Sequence, residues 1–411
     1  MDVSVAKRAG PSPTLVTAAA IASTIAAAIP VFLAGALAVQ VSDEFVIAEG
    51  AYGLAITAFF GAAAVVSRRT GTLVQRIGAK RQIVWALAGT IVIDLVVAFW
   101  TSSFWMMVAA LAVAGMTNSA CQTAVNFMLT RAQLPRLGLS IAIKQSGMPL
   151  AALLGGLAVP AIALTVGWRW AYVGAGVAAV GAVGLVLFVL QGVDLGSGQR
   201  PTPTGRIESE QPLDVEPPTQ SSTETLVLTA IAMGFLAFSS GALAAWPVSS
   251  GVDAGLSEGA AGLAVGVGSG AGISMRLLWG LKLDKMRRSP LWMAAANTVV
   301  GAVGMAALGF RVSTLHIVAT AVAFGAGWVW PVFMNFGIMS ANRETAGAAT
   351  GITQTGVYFG VFVAPLATGQ IIDQWGYQQM WTVVALSGLV GAYLIHRLTS
   401  RFEVKSCLTC G

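Results

Sequence analysis

Histidine occurs twice and cysteine three times in 411 residues, Asp and Glu together number 17, and charged residues make up only 10% of the chain. Each scarcity excludes something. His316 and His396 fall in separate apolar runs at opposite membrane sides, so they cannot converge with other ligands or bases: no metal, no cofactor and no catalytic residue is expected, and the chain is not read as an enzyme. Cys121 sits inside an apolar run, while Cys407 and Cys410 form a lone pair near the C-terminus without the second pair of a zinc site, so no disulfide framework is implied. Soluble domains carry roughly 25% charged residues, which this chain does not approach. Long polar intervals are missing too: the longest, 192–224, is too short to be the soluble module of a receptor or sensor.

What the chain has instead is apolar surface. Hydrophobic residues make up 56% and the mean hydropathy is +0.77. Crossing the hydrocarbon takes about 20 apolar residues as a helix, and twelve runs of that kind lie near 14–41, 51–67, 82–100, 104–130, 139–166, 170–191, 225–249, 259–279, 291–309, 314–340, 347–372 and 380–396. Backbone groups in lipid must be satisfied within the segment, so an all-α membrane protein is expected. The 48 glycines suggest closely packed helices. The first run is too long for a cleaved signal, and eleven more follow.

The net charge of +6 follows from topology. With the N-terminus inside, all 23 Lys and Arg except Arg169, Arg311, Lys144 and Arg276 fall on the cytoplasmic side. The positive-inside rule therefore gives a multi-pass protein of the cytoplasmic (inner, plasma) membrane with both termini cytoplasmic. Its macromolecular surroundings are the lipid bilayer; nucleic acid is not a partner.

The interval 192–224 holds Pro201, Pro203, Pro212, Pro217 and Pro218 together with Glu208, Glu210, Asp214 and Glu216, and reads as a cytoplasmic linker. It divides the runs six and six. The expected organisation is a bundle at 1–191, the linker at 192–224, a second bundle at 225–396 and a cytoplasmic tail at 397–411. The halves align at one offset of 209: Glu49-Gly-Ala-Tyr-Gly-Leu-Ala55 returns as Glu258-Gly-Ala-Ala-Gly-Leu-Ala264, Asn126-Phe127 as Asn335-Phe336, and Gly71 as Gly280. Parallel repeats about an axis along the membrane normal are one layout of secondary transporters, with substrate bound near the midplane between the halves.

After the second run comes Gly71-Thr-Leu-Val-Gln75-Arg76-Ile-Gly78-Ala-Lys80-Arg81, echoed by Gly280-Leu-Lys-Leu-Asp284-Lys285-Met-Arg287-Arg288. This resembles the signature loop of the major facilitator superfamily, and Gly167-Trp168-Arg169-Trp170 resembles another recurrent feature of those transporters. The resemblance implies twelve transmembrane helices as two pseudo-symmetric six-helix bundles, alternating access, a monomer, and a cavity lined by helices 1, 4, 7 and 10. It also implies a gating relay through Gly71, Arg76, Gly78, Asp284, Arg287 and Arg288. Gln75 stands where the family has an acid and Arg287 where it has a second glycine. The antiporter signature of drug exporters is not matched around Pro149 and Gly155-Gly156.

Candidate site residues follow from polarity inside apolar runs. Asn118, Gln122 and Asn126 recur every four residues, on one side of the fourth helix; they form a substrate wall or interhelical glue. Asn335 mirrors Asn126 and lies near Trp328 and Trp330, which sandwich a planar ligand or fill space. Thr350, Gln354 and Tyr358 repeat the spacing in the eleventh run. Lys144, followed by Gln145, lies five residues inside the fifth run, about 7 to 8 Å along a helix; it snorkels to the interface or faces a cavity. Arg276 is the second embedded cation. Their repeat mates are Thr353 and Ser67. The fifth and eighth helices adjoin in the superfamily fold, so a small organic anion, a carboxylate, is expected between Lys144 and Arg276, as in an organic-anion branch of bacterial transporters. The competing reading is efflux of an amphipathic or cationic drug-like compound, which calls for an acid in the cavity. Asp94 is the one carboxylate well inside a run and the candidate for a coupling proton, so symport and antiport both remain open.

Overall fold

The computed structural model describes residues 12–47, 49–132, 134–191, 221–286, 289–342 and 345–399. Among them all regular structure is helical. Expectations for most of the 192–224 linker, for residues 400–411 with Cys407 and Cys410, and for Arg287 and Arg288 lie outside the described residues.

In chain order the long helices are α1 (Pro13–Ala36), α2 (Glu49–Ile77), α3 (Ala79–Phe99), α4 (Phe104–Arg131), α5 (Leu137–Ala163), α6 (Arg169–Val189), α7 (Thr223–Ala245), α8 (Glu258–Leu283), α9 (Pro290–Leu308) and α10 (Ser313–Ala341). The helical stretch Ala346–Leu398 is two rods, α11 (346–375) and α12 (377–398), joined at Gly376, whose φ of 82° and ψ of 178° are not helical. Twelve rods result. Ten helical stretches of the described chain, the α11–α12 pair counted as one, have the length and apolarity to cross a membrane. The remaining rod, α2, is 29 residues long and gathers Arg68, Arg69 and Arg76 toward its C-terminal end.

Local chemistry sets the rod ends. Gly78 turns the chain between α2 and α3 at φ 83°, a left-handed conformation that side chains disfavour. Ser103, Ser222 and Ser257 cap α4, α7 and α8 by accepting from Met106, Thr225 and Ala260 N–H at 3.3, 3.2 and 3.3 Å. The first run is interrupted: α1 stops at Ala36 and a short helix, Ala38–Phe45, follows. The seventh stops at Ala245, because Pro247 cannot continue it and instead opens a new short helix, Pro247–Asp253.

Two long helices are broken where transport chemistry is expected. In α5 the rod Leu137–Gln145 gives way at Ser146 to Gly147–Ala158, because Pro149 has no N–H for the Gln145 carbonyl. A π-helical turn, Val159–Ala163, then absorbs Pro160. In α10 a π-helical turn, Ala323–Gly327, precedes a second break at Trp328, and the helix restarts at Trp330 with Pro331 in its first turn.

The offset of 209 is visible in the packing. A Cβ on Gly71 would come within 2.6 Å of the Gly347 carbonyl oxygen and 3.0 Å of Gly351 Cα, so α2 lies directly on the backbone of α11. In the mirrored seam a Cβ on Gly280 would overlap Ala142 and stand 3.3 Å from Leu139 Cα, placing α8 on the start of α5. Gly347 and Gly351 are the repeat mates of Gly138 and Ala142. Both seams lie at the end of the molecule that carries the basic loops, here called the basic end. Apolar packing crosses the halves too, with Ala142 inside a core otherwise built from α7 to α12 and Met339 inside one built from α1 to α6.

Candidate transport site

The basic-end seams close differently. Asp284, at the end of α8, accepts from the backbone N–H of Gly138 at 2.8 Å and so caps the first turn of α5 in the other half. In the α2/α11 seam Ser67 donates to the Gly351 carbonyl at 3.0 Å. Gln75, the mate of Asp284, finds no hydrogen-bond partner for its buried Nε2. Arg76 is exposed and Gly78 forms the turn. Of the expected relay, Gly71, Gly78 and Asp284 therefore have definite structural positions.

Lys144 closes the first rod of α5. Its side chain is 2% exposed, and its ammonium donates to Gln145 Oε1 at 2.9 Å. It does not snorkel. The two residues are the last of the rod Leu137–Gln145, so the bond joins consecutive side chains just before the break at Ser146. Cys121 of α4 is the nearby ionisable group. Cys121 donates from Sγ to the Ser23 carbonyl of α1 at 3.5 Å, and a Cβ on Gly147 would meet Thr24 Cγ2 at 2.9 Å. Thus α1, α4 and α5 converge around Lys144, with the buried Ser23 and Thr24 hydroxyls left without partners.

Arg276 is 1% exposed and is held within its own half. One terminal nitrogen donates to the Gly272 carbonyl at 3.0 Å and the other to the Trp328 carbonyl. The Trp328 carbonyl is available because the break in α10 sends Val332 N–H to Val329 O, at 3.1 Å, instead. The guanidinium carbon lies 5.6 Å from the Trp328 ring centroid, within cation–π range. The Nε–H of Arg276 is buried without a partner. Among the described residues neither Lys144 nor Arg276 forms an ion pair; the two ion pairs present are Arg169–Glu44 and Arg311–Asp253. The hydrogen bonds of Lys144 and Arg276 among the described residues do not join the two side chains; α5 and α8 adjoin through Gly138, Ala142 and Gly280.

The polar wall is buried but only partly satisfied. Gln122 Nε2 reaches Asn118 Oδ1 at 3.4 Å, while Asn126 Nδ2 has no partner. Its mate Asn335 donates back along its own helix to Pro331 O at 2.8 Å. Trp328 packs on Phe324 at 5.6 Å between centroids, and Trp330 donates from Nε1 to Ser240 Oγ of α7 at 3.0 Å, which fixes its ring as a tie between α10 and α7. Thr350 bonds within α11, to Ala346 O at 2.7 Å. Gln354 is buried, and Tyr358 crosses the midline into the core of the first half, where Ser119 is its hydrogen-bonding neighbour. Sequence reasoning missed Ser23, Thr24 and Ser240. The signal was available, since a Ser-Thr pair in the alanine-rich α1 is as conspicuous as an amide in α4.

At the opposite end Glu44 accepts from Arg169 at 2.6 and 2.7 Å and from Trp168 Nε1 at 2.6 Å. Gly167, at φ 104°, makes the turn that aims both donors. Burial pushes the Glu44 carboxyl upward, but the hydrogen bonds from Arg169 and Trp168 and the Arg169 charge outweigh it, leaving the group below its ordinary value. The repeat mate of Glu44 is Asp253, paired with Arg311 at 2.5 Å. Asp94 lies in α3, fully buried against Gly176 of α6, with both carboxyl oxygens unpartnered.

No curated protein matches the chain in sequence. Among solved structures, the proton:xylose symporter XylE of the major facilitator superfamily, bound to 6-bromo-6-deoxy-D-glucose, superposes with a TM-score of 0.72 at 12% identity, over 94% of this chain and 96% of its own. The human organic anion transporter MFSD10 (TETRAN) superposes with a TM-score of 0.71 at 14% identity, over 94% of this chain and all of its own (100%). At these identities the likeness is one of fold. The family model of the Major Facilitator Superfamily matches residues 14–365, most of both six-helix bundles, and the chain therefore belongs to that superfamily of multi-pass membrane transporters.

Proposed function

We propose that the protein is a secondary transporter that moves a small organic anion, a carboxylate, bound between the halves with Lys144 and Arg276 as its charge partners. The observation that carries this reading is that both cations are buried and neither meets an acid among the described residues. An unpaired charge removed from water costs several kcal/mol, and intramembrane charges that persist face a cavity or a partner. The spare donors agree, since Arg276 Nε and Asn126 Nδ2 are buried and unsatisfied, as are the hydroxyls of Ser23 and Thr24. Each structural relative is described with its own substrate class, so the choice rests on these residues and not on the likeness.

On this reading two halves, 1–191 and 225–396 joined by 192–224, rock about the site between the α2/α11 and α5/α8 seams. Asp284 is the latch of the second seam. Gln145, Asn118, Gln122, Asn126, Trp328, Asn335, Gln354 and Tyr358 supply the neutral surface of the cavity. Basic residues at one end orient the protein with both termini in the cytoplasm, in the plasma membrane.

The test is uptake into proteoliposomes of radiolabelled lactate, succinate, gluconate and benzoate, preceded by a melting-shift screen that includes organic cations. At least one carboxylate is expected to stabilise the protein and to be transported. Lys144→Ala or Arg276→Ala should each lower its uptake about tenfold or more. Unchanged uptake in both variants, or stabilisation by cations alone, overturns the reading.

A further inference from the structure

The repeat also makes two lateral seams, α3 on α6 in the first half and α9 on α12 in the second. A Cβ on Gly176 of α6 would stand 3.7 Å from Asp94 of α3, and one on Gly388 of α12 would stand 3.7 Å from Thr298 of α9. Gly167 and Gly376, left-handed at φ 104° and 82°, precede α6 and α12 and are related by the offset of 209, which sets the register. In the first seam Leu87 is fully buried in the core and Val183 packs against that core. Their mates are Ala296 and Ala392. With those side chains shortened, a groove of about 320 Å³ is left between α9 and α12, lined by Trp292, Ala296, Val299, Ala392, Tyr393 and His396.

The groove lies on the outer surface of the bundle. Val299 and Tyr393 are exposed, as are Val300 and Leu386 beside them, a surface that only hydrocarbon can cover. From Trp292 to Val299 it follows α9 for about 10 Å, within the half of the hydrocarbon, about 15 Å deep, that adjoins the basic end. Its lining includes one imidazole. His396 and the adjacent Arg397 stand where the first half has Leu187 and Phe188. The Arg397 guanidinium carbon lies 6.0 Å from the Tyr393 ring centroid, at the edge of cation–π range. Among the described residues neither His396 nor Arg397 forms an ion pair. The N-terminus of α9 lies at the same end, and its dipole also favours an anion there. Charge that served orientation alone would need no groove, and a groove left by loose packing would need no imidazole at its basic end.

We propose that the α9/α12 groove is a binding site for an anionic phospholipid of the leaflet at the basic end. One acyl chain lies against Ala296 and Ala392 between Trp292 and Tyr393, and the phosphate accepts hydrogen bonds from His396 and Arg397. Trp292 and Tyr393 sit at headgroup level, where amphipathic rings are favoured. The donors discriminate between headgroups, because a zwitterionic lipid brings its own ammonium to the phosphate and an anionic one does not. The site makes no use of Lys144 or Arg276, so it stands or falls independently of the transported substrate.

The test uses the full chain in vesicles containing phosphatidylglycerol or phosphatidylcholine with a photoactivatable group in one acyl chain, followed by peptide mapping of the labelled protein. Labelling should concentrate on 292–299 and 389–396, and phosphatidylglycerol should label these segments about fivefold or more above phosphatidylcholine. Ala296→Leu, which restores the side chain of the first half, should fill the groove and remove the concentrated labelling by both lipids. His396→Leu combined with Arg397→Phe leaves the groove open and should equalise the two lipids. Labelling spread evenly over α3, α6, α9 and α12 overturns the proposal, as does unchanged labelling in Ala296→Leu. Equal capture of the two lipids by the unsubstituted protein, or a preference that survives the paired substitution, overturns the role of His396 and Arg397 and with it the anionic site.

Discussion

The two seams at the basic end were built from one repeated unit and have diverged. Gly71 on Gly347 and Gly351 mirrors Gly280 on Gly138 and Ala142, so backbone approaches backbone in both. The α5/α8 seam adds a carboxylate cap, Asp284 on Gly138, and has Lys144 and Arg276 one turn deeper. The α2/α11 seam has Gln75 with its amide nitrogen unsatisfied, and beyond it the hydroxyls of Ser67 and Thr353 bonded to backbone carbonyls. Shape was kept in both seams while charge was concentrated in one. On the proposed function, the difference separates closure from recognition: the hydroxyl seam is a smooth contact, and the charged seam is the one that would answer to a ligand.

The largest effect should come from spoiling the contact that both seams share. Gly71→Val places a branched side chain where a single Cβ already meets the Gly347 oxygen at 2.6 Å. Overpacking of this kind costs about 1–3 kcal/mol. A cysteine placed at Gln354 should then be labelled faster from the basic side, and uptake should fall. Unchanged labelling would show that α2 and α11 do not set the closed state.

Removing the charge that distinguishes the seams should do less. Asp284→Ala strips Gly138 of its acceptor and is expected to cost about 1–2 kcal/mol of the closed arrangement, read as faster basic-side labelling at the same reporter. The converse change sharpens the comparison further. Gln75→Asp should let an acid reach the start of α11 as Asp284 reaches α5, slowing that labelling about two- to fivefold; no change would mean that the two seams are not equivalent.

At the opposite end the smallest effect is expected. Glu44 and Asp253 occupy equivalent positions but recruit different arginines, Arg169 and Arg311. Exposed pairs contribute about 0.2–1 kcal/mol. The Glu44 carboxyl is lowered in the folded protein, so its contribution is present above the unfolded carboxylate range and is lost as pH falls through the lowered folded value. Melting curves of Glu44→Gln and the unsubstituted protein should thus differ slightly at neutral pH and converge in acid.

Much of the architecture was legible because its causes are periodic. Twelve apolar runs and one offset of 209 are patterns that survive divergence, and they paired Gly71 with Gly280 before any distance was known. The breaks at Ser146 and Trp328 were less legible: Pro149 and Pro331 signal trouble, but they do not say whether a helix bends, shifts to a π turn or stops. The partners of the cations were least legible. Lys144 bonds to its own neighbour, a pairing that helical spacing does not suggest, and Arg276 bonds to main-chain carbonyls, which every residue offers and no composition reveals. Whether Lys144 snorkels or faces a cavity stayed open in the sequence because depth along a helix says nothing of rotation about it.

If Arg276 takes an anion as proposed, the carbonyl of Trp328 turns ligand capture into an exchange. A guanidinium already engaged by a backbone acceptor does not wait empty for an anion; the newcomer must outbid that dipole, and the observed affinity is the difference between the two bonds. Feebly basic anions would then fall below that threshold, and selectivity at Arg276 would be set by the incumbent as much as by the visitor. Each successful capture leaves the incumbent oxygen bare, at the joint where α10 is already in two pieces.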